Sequence, residues 1–385
     1  MTTYDVIVVG AGAVGCATAR ALALAGREVL LLEQGDFPNP HATSYGTSRI
    51  FRLAYHEGAA YVPLLEYSLD VWQDLSAAAG QKLFHTTGSL TIGPSDGESF
   101  TNARGTCGRH DLAHEVLDAA DIEARFPAYD LPEGYRGVYQ PHGGLLDPER
   151  SLRAFFEEAL EAGATIRARE PVTDWRTDGD TAIVETAVTD YTAEALVVAS
   201  GAWAADQVDA VADLLRRERH VACRLLPARR PSFTVESFPA FVIDTADGGH
   251  YYGLPEHRLP GFKIGATHVE GAPVHPDAAS EPARSEAAPV RSFVSEFLPA
   301  GDGPLLGLRS CVLSHSPDGD YIVDSLPGAD NVVLAVGMSG HGFKNAPAVG
   351  GIAAAKAINA DPPLDPEPFS LARFDGSTLS EPDLN

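Results

Sequence analysis

The opening residues arrange apolar and polar positions in a strict order. Residues 4–9, YDVIVV, are apolar apart from Asp5, the near-continuous pattern of a strand buried on both faces. The glycine-rich GAGAVG comes next. Apolar positions at helical spacing follow through residue 24, and then REVLLLE. This predicts a strand, a tight turn, a helix of about four turns and a second strand ending at Glu33, which is a βαβ unit. A Pro/Asn/His/Ser-rich loop leads into a helical stretch over YVPLLEYSLDVWQDLSAAAG, and KLFHTTGSLTIGP predicts strands outside the first unit. Helix and strand alternate again over residues 148–175, and YTAEALVVASGAWA is a strand entering another glycine turn. Residues 219–305 carry prolines, aromatics and short alternating runs, the pattern of an antiparallel sheet. NVVLAVGMSGHGFKNAPAVGGIAAAKAI is once more strand, glycine loop and helix, and the tail after about Pro362 is expected to be weakly structured.

Nucleotide-type units at the beginning, middle and end predict a discontinuous domain, 1–84, 143–218 and 306–385. It is interleaved with a second domain, 85–142 and 219–305. The expected class is α/β, α+β overall: a Rossmann-like nucleotide-binding domain and an antiparallel-sheet substrate domain. Within the first unit, Gly10, Gly12 and Gly15 form GxGxxG between strand and helix, and Glu33 ends the next strand. The first glycine permits the turn, the second lets backbone approach a pyrophosphate at the helix N-terminus, and the third lets helix and strand pack closely. Glu33 is placed to accept hydrogen bonds from a ribose diol. The motif alone does not separate NAD from FAD. A second glycine loop at 337–342 favours FAD, whose length suits two distant anchors better than a mobile nicotinamide.

Composition narrows the partners. The chain has 385 residues, a formal net charge of -25 and 44% hydrophobic residues, so two cores are affordable and nucleic-acid phosphates would be repelled. Residues 6–19 carry no charge, yet glycines recur in them, no Lys or Arg precedes them and Arg20 ends the run. Neither a signal peptide nor a membrane helix is expected. Cys16, Cys107, Cys223 and Cys311 are scattered without a CxxC pair, which fits a reducing cytoplasm. Lysine is confined to Lys82, Lys263, Lys344 and Lys356. An acidic surface adapted to a halophilic, high-salt cytoplasm is one reading, and an ordinary acidic protein is the other. Against this background YGTSRIFRLAY sets Arg49 and Arg52 among apolar and aromatic neighbours. A cation in such a setting calls for an anionic partner. A spacing of three would let one helical turn serve both.

YGTSRIFRLAYHEGAAYVPL, GGHYYGLP, GFKIGATH, RSCVLSHSPDGDYIVD and GMSGHGFKNAP occur in the order and spacing of the monomeric sarcosine oxidase family, which includes N-methyltryptophan and pipecolate oxidases. The chain resembles that family over nearly its whole length. The resemblance implies FAD attached covalently through a cysteine thioether, matched here by Cys311, although a lone cysteine is ordinarily a small buried hydrophobe. It implies that Arg52 and Lys344 clamp a substrate carboxylate, Arg as a planar fork and Lys as a point charge. Arg49 would lie near the flavin ring, and Lys263 would promote reaction with O2. Tyr252 would pack against substrate and His268 would stand nearby. Further cofactor contacts are implied at Ser48, Val172, Gly201, Gly337, Gly340, Gly342 and Lys344.

The chain also departs from the family. Tyr45 stands where sarcosine oxidase has histidine, Leu313 replaces a tyrosine two residues after the flavin cysteine, and Met338 replaces a phenylalanine. His268 lies one residue further from its lysine. Carboxylate binding and flavin attachment are expected to be kept, and the amine-side pocket to be remodelled. The expected protein is a monomeric cytoplasmic oxidase of N-methyl or other secondary amino acids, with hydride transfer to flavin and O2 reduced to H2O2. The alternatives are a dehydrogenase serving another electron acceptor and a non-catalytic flavoprotein subunit.

Overall fold

In the computed structural model, which describes residues 2–267 and 273–374, the opening pattern becomes strand Thr2–Val9, helix Ala13–Leu24 and strand Val29–Leu32. The second strand stops one residue before Glu33. Both strands run parallel in an eight-stranded sheet, and strand Asp190–Val198 lies parallel on the other edge of Thr2–Val9. Strand Ala329–Val336 continues the parallel order. The register sets Val9 opposite Val198, and Val198 opposite Leu334. Three glycine loops from distant parts of the chain therefore leave one end of the sheet together, where ligands bind in open parallel sheets. The first helix packs on helix Ala346–Ala357, and a Cβ at Gly350 would come within 2.7 Å of the Ala17 Cβ. Small residues on both helices let them approach that closely.

The second eight-stranded sheet runs Leu305–His315, Arg216–Leu225, Phe262–Thr267, His250–Leu254, Ala240–Asp244, Ser89–Pro94, Tyr135–Gln140 and Glu115–Asp118. It is antiparallel except where Ala240–Asp244 meets Ser89–Pro94. Phenylalanines 233, 238, 241, 262, 293 and 297 fill its own core, separate from the cores flanking the parallel sheet. Strand Leu305–His315, which carries Cys311, belongs to this sheet rather than to the parallel one, although the sequence grouped 306–385 with the nucleotide-type units. It is paired antiparallel with Arg216–Leu225 over its whole length, and that extended pairing outweighs its proximity in sequence to the last nucleotide-type unit.

The two arginines of YGTSRIFRLAY do not share a helical turn. Arg49–Phe51 is a short strand paired antiparallel with Gly144–Leu146 in a three-stranded sheet, and Arg52 follows it. Residues 363–374 are also more ordered than their composition implies. Turns at Glu367–Phe369 and Leu371–Phe374 bury Phe369 and Leu371. Among the described residues no helix is long and apolar enough to cross a membrane.

Candidate active site

Two cavities meet at the ends of the two sheets. The first starts at Glu33 and Gln34, runs past Gly10, Gly12, Ala13, Val172 and Gly201, and ends at Arg49, Leu313, Gly340, Gly342 and Phe343. Gly10 has φ +100, and a Cβ there would lie 2.7 Å from the Ala199 carbonyl oxygen. A Cβ at Gly15 would lie 1.8 Å from the Gly10 carbonyl, so this glycine serves helix–strand packing and not the cavity wall. Gly12 caps the first helix without a side chain, and no acidic residue occupies the first turn. The opening fits a pyrophosphate at a helix N-terminus. Glu33 is buried, and its carboxylate accepts hydrogen bonds from Ala11 N, Gly35 N and Asn39 Nδ2, each 2.9 Å. These bonds aim it along the cavity, where a ribose would lie. Ser48 and Gly337 line neither cavity. Ser48 contributes its carbonyl instead, and Gly337, at φ +65, shapes the turn into the last loop.

The second cavity, of about 680 Å3, opens from the junction and is of small-molecule size. Arg49, Arg52, Tyr252, Lys263, Cys311 and Lys344 all line it. His268 lies outside the described residues, and its neighbour Thr267 reaches the wall. Of the cysteines, Cys16, Cys107 and Cys223 are buried, and only Cys311 is partly exposed.

The four cations fall into two pairs. Arg49 donates to the carbonyls of Ser48, Thr43 and Tyr45. Lys263 donates from Nζ to the Ser48 carbonyl (3.2 Å), and its Nζ lies 5.5 Å from the Tyr252 ring centroid. Neither has a carboxylate partner among the described residues. Burial, reinforced by Arg49, pushes Lys263 well below the usual lysine value. These groups gather cationic side chains at the junction of the cavities, with no ion-pair partner for either among the described residues.

Arg52 and Lys344 are arranged differently. Arg52 is 5% exposed; its Nη2 donates to Glu57 Oε1 and its Nη1 to His56 Nδ1, both at 2.6 Å, and its Nε is buried without a hydrogen-bond partner. Burial alone would raise the Glu57 carboxyl, but the Arg52 guanidinium holds it well below the usual carboxylate range. Burial and Arg52 push His56 down to about 3, so it is neutral. Lys344 Nζ donates to Tyr55 Oη (2.9 Å) and to the His341 carbonyl (3.2 Å). The Tyr55 hydroxyl in turn donates to His341 Nδ1 (2.7 Å), and His341 Nε2 donates to the Gly319 carbonyl (3.1 Å). This chain of donors points the ammonium into the cavity. Burial pushes Lys344 down to about 7, with Glu57 opposing and Arg52 adding to the shift.

Sequence reasoning missed Glu57 and His56, although they follow Arg52 by five and four residues in RLAYHEG. It also missed His220. RRERHVACRLL has no motif to mark that residue, and its partner Tyr252 is 32 positions away. Of the positions that depart from the resemblance, Tyr45 stacks under Arg309 (4.5 Å) and Leu313 lies where the cavities join.

A family model described as FAD dependent oxidoreductase matches residues 5–356. The chain is 35% identical to N-methyl-L-tryptophan oxidase of Citrobacter koseri over 377 residues, 96% of this chain and 99% of that protein. It is 32% identical to monomeric sarcosine oxidase of a Bacillus species over 386 residues, covering 97% of each. Among solved structures, NikD, an amino acid oxidase essential for nikkomycin biosynthesis, superposes with a TM-score of 0.83 at 27% identity, covering 96% of this chain and 98% of NikD. L-proline dehydrogenase from P. horikoshii shares the fold, with a TM-score of 0.84 at 23% identity over 97% of this chain and 98% of that one. A cradle that only glycine fits, an aimed acid at the far end of the first cavity and full-length matches of this kind lead to one conclusion: the chain belongs to the FAD-dependent oxidoreductase family.

Proposed function

We propose that the protein oxidises amino acids bearing an N-methyl or other secondary amine, and that O2 reoxidises its flavin to yield H2O2. The observation that carries this reading is the pairing of buried Arg52 and Lys344 on one cavity wall, with Arg49 and Lys263 at the junction where that cavity meets the dinucleotide cleft. In this reading an incoming carboxylate competes with Glu57 for the Arg52 fork and engages the Lys344 ammonium, which orients the carbon next to nitrogen toward the junction. Bound FAD supplies the two-electron acceptor. Arg49, satisfied only by carbonyls, stabilises negative charge developing beside it, and Lys263 favours the negative charge of reducing oxygen. Cys311 is the proposed attachment point, supported by its partial exposure on the cavity wall and its electrostatic coupling to Arg49. The two sheets with separate cores support a division into two interleaved domains. The full-length match to a relative named as monomeric supports a monomer.

The test is an anaerobic flavin-bleaching screen across N-methyl, cyclic and unsubstituted amino acids, followed by peroxide yield per turnover in air. Bleaching by secondary amino acids with near-stoichiometric peroxide is expected. Bleaching with negligible peroxide would make the protein a dehydrogenase, and no bleaching by any amino acid would remove the catalytic reading.

A further inference from the structure

One histidine in the second cavity has no part in the function proposed above. His220 lies on Arg216–Leu225, directly across from Cys311 on the neighbouring strand, and lines the cavity. Its Nε2 is 2.9 Å from Tyr252 Oη, with the two rings stacked at 27° and 5.6 Å between centroids. Tyr252 is paired in register with Gly265, and a Cβ at Gly265 would fall within 2.8 Å of the Tyr252 ring and hydroxyl. The glycine therefore provides the space in which the phenol lies.

The direction of the His220–Tyr252 hydrogen bond follows from what surrounds it. Burial, then Lys263, Arg49 and His315, push His220 down to about 3, so the imidazole is neutral and one ring nitrogen carries no proton. A phenol O–H is a stronger donor than an imidazole N–H, and an imidazole nitrogen is a stronger acceptor than a phenol oxygen. The more stable arrangement has Tyr252 donating to Nε2. Burial, reinforced by Cys311, also raises Tyr252 above its ordinary value and keeps it a phenol. Its only proton is then committed to His220, and its oxygen faces the cavity as a lone-pair acceptor.

We propose that His220 is a specificity-determining positioning residue: by holding the Tyr252 proton it makes that hydroxyl an acceptor in the cavity, selecting ligands that present an N–H beside their carboxylate. The favoured substrates become amines that keep an N–H in the neutral, reactive form, primary or secondary, over N,N-dialkyl amino acids. A ligand with a lone pair in place of the N–H faces the lone pairs of Tyr252 unpaired, a loss of about tenfold in affinity for one neutral hydrogen bond. The inference rests on the carboxylate clamp proposed above, and the test separates the two.

The probes are pyrrole-2-carboxylate and furan-2-carboxylate, planar rings of the same shape that differ in N–H against ring oxygen, titrated into the flavin-loaded enzyme by difference absorbance. The expected result is that pyrrole-2-carboxylate binds about tenfold or more tightly. The preference should shrink to within about threefold in His220→Leu and in Tyr252→Phe, and should persist in His220→Gln, whose amide oxygen can still accept the phenol proton. A matching screen should show N-methyl amino acids bleaching flavin faster than their N,N-dimethyl counterparts, with that ratio falling in His220→Leu. Equal affinities in the wild-type enzyme would overturn the inference and leave the clamp standing. So would a preference that survives both Tyr252→Phe and His220→Leu. Failure of both carboxylates to bind would overturn the clamp and the inference with it.

Discussion

The two pairs of cations lining one cavity make a useful contrast. Arg49 and Lys263 are satisfied by backbone carbonyls and face no carboxylate among the described residues. Arg52 sits beside Glu57, which already grips its fork, while Lys344, held by the Tyr55 hydroxyl and the His341 carbonyl, feels the same carboxylate electrostatically. A cation held only by carbonyls keeps a field that acts on whatever charge develops next to it, whereas one held by a carboxylate, as Arg52 is, is in a state that an external carboxylate can replace. The first pair suits a permanent electrostatic role and the second an exchangeable binding role.

That contrast can be broken most sharply at Lys263. Lys263→Met should slow reaction of reduced flavin with oxygen by about 10²- to 10³-fold while leaving anaerobic reduction by substrate within a few-fold, read by stopped-flow absorbance in each half-reaction. Equal losses in both halves would merge the two pairs. Arg52→Ala should raise the KM for amino acids by about 10²-fold, the loss of a charge-assisted pair worth ~3 kcal/mol, with a smaller effect on the oxygen step. An unchanged KM would take Arg52 out of the clamp.

Titration gives an intermediate effect. With Lys344 lowered to about 7, its ammonium is present below that pH and is lost as pH rises through it, so carboxylate affinity should fall on the alkaline side by up to about tenfold per unit. A bound carboxylate favours the protonated form, which places the change in the free enzyme. Binding titrations of pyrrole-2-carboxylate across pH 6 to 9 would show it, and Lys344→Met should flatten the profile. The smallest effect is expected from Glu57→Gln. Removing the internal competitor should tighten carboxylate ligands by about three- to tenfold, and weaker binding would mean that Glu57 supports the clamp rather than occupying it.

The legibility of these parts follows the range of the interactions that make them. The first βαβ unit was readable because a buried strand, a glycine turn and a helix are written within thirty residues, with Gly10 required by its own φ of +100 and Gly15 by the nearby Gly10 carbonyl. The family motifs likewise marked Cys311, Arg52, Lys263 and Lys344 by local spacing. The extended form of Arg49–Phe51 was not readable, because it depends on pairing with Gly144–Leu146 almost a hundred positions away. Nor was the sheet membership of Cys311, which Arg216–Leu225 decides.

The sequence by itself determined the alternation of buried strands and glycine turns, the acidic balance and the chemical inventory of the cavity, because apolar period, turn chemistry and residue type are local properties. Tertiary structure alone decided which charges are paired. Tyr55 steers Lys344 and His220 accepts the Tyr252 hydrogen bond because separate strands and loops converge at the end of two sheets, and the Arg52–Glu57 pair, though close in sequence, is closed by the fold of its loop. A side chain's partner depends on three-dimensional proximity in a desolvated space, and no stretch of sequence shorter than the fold contains that information.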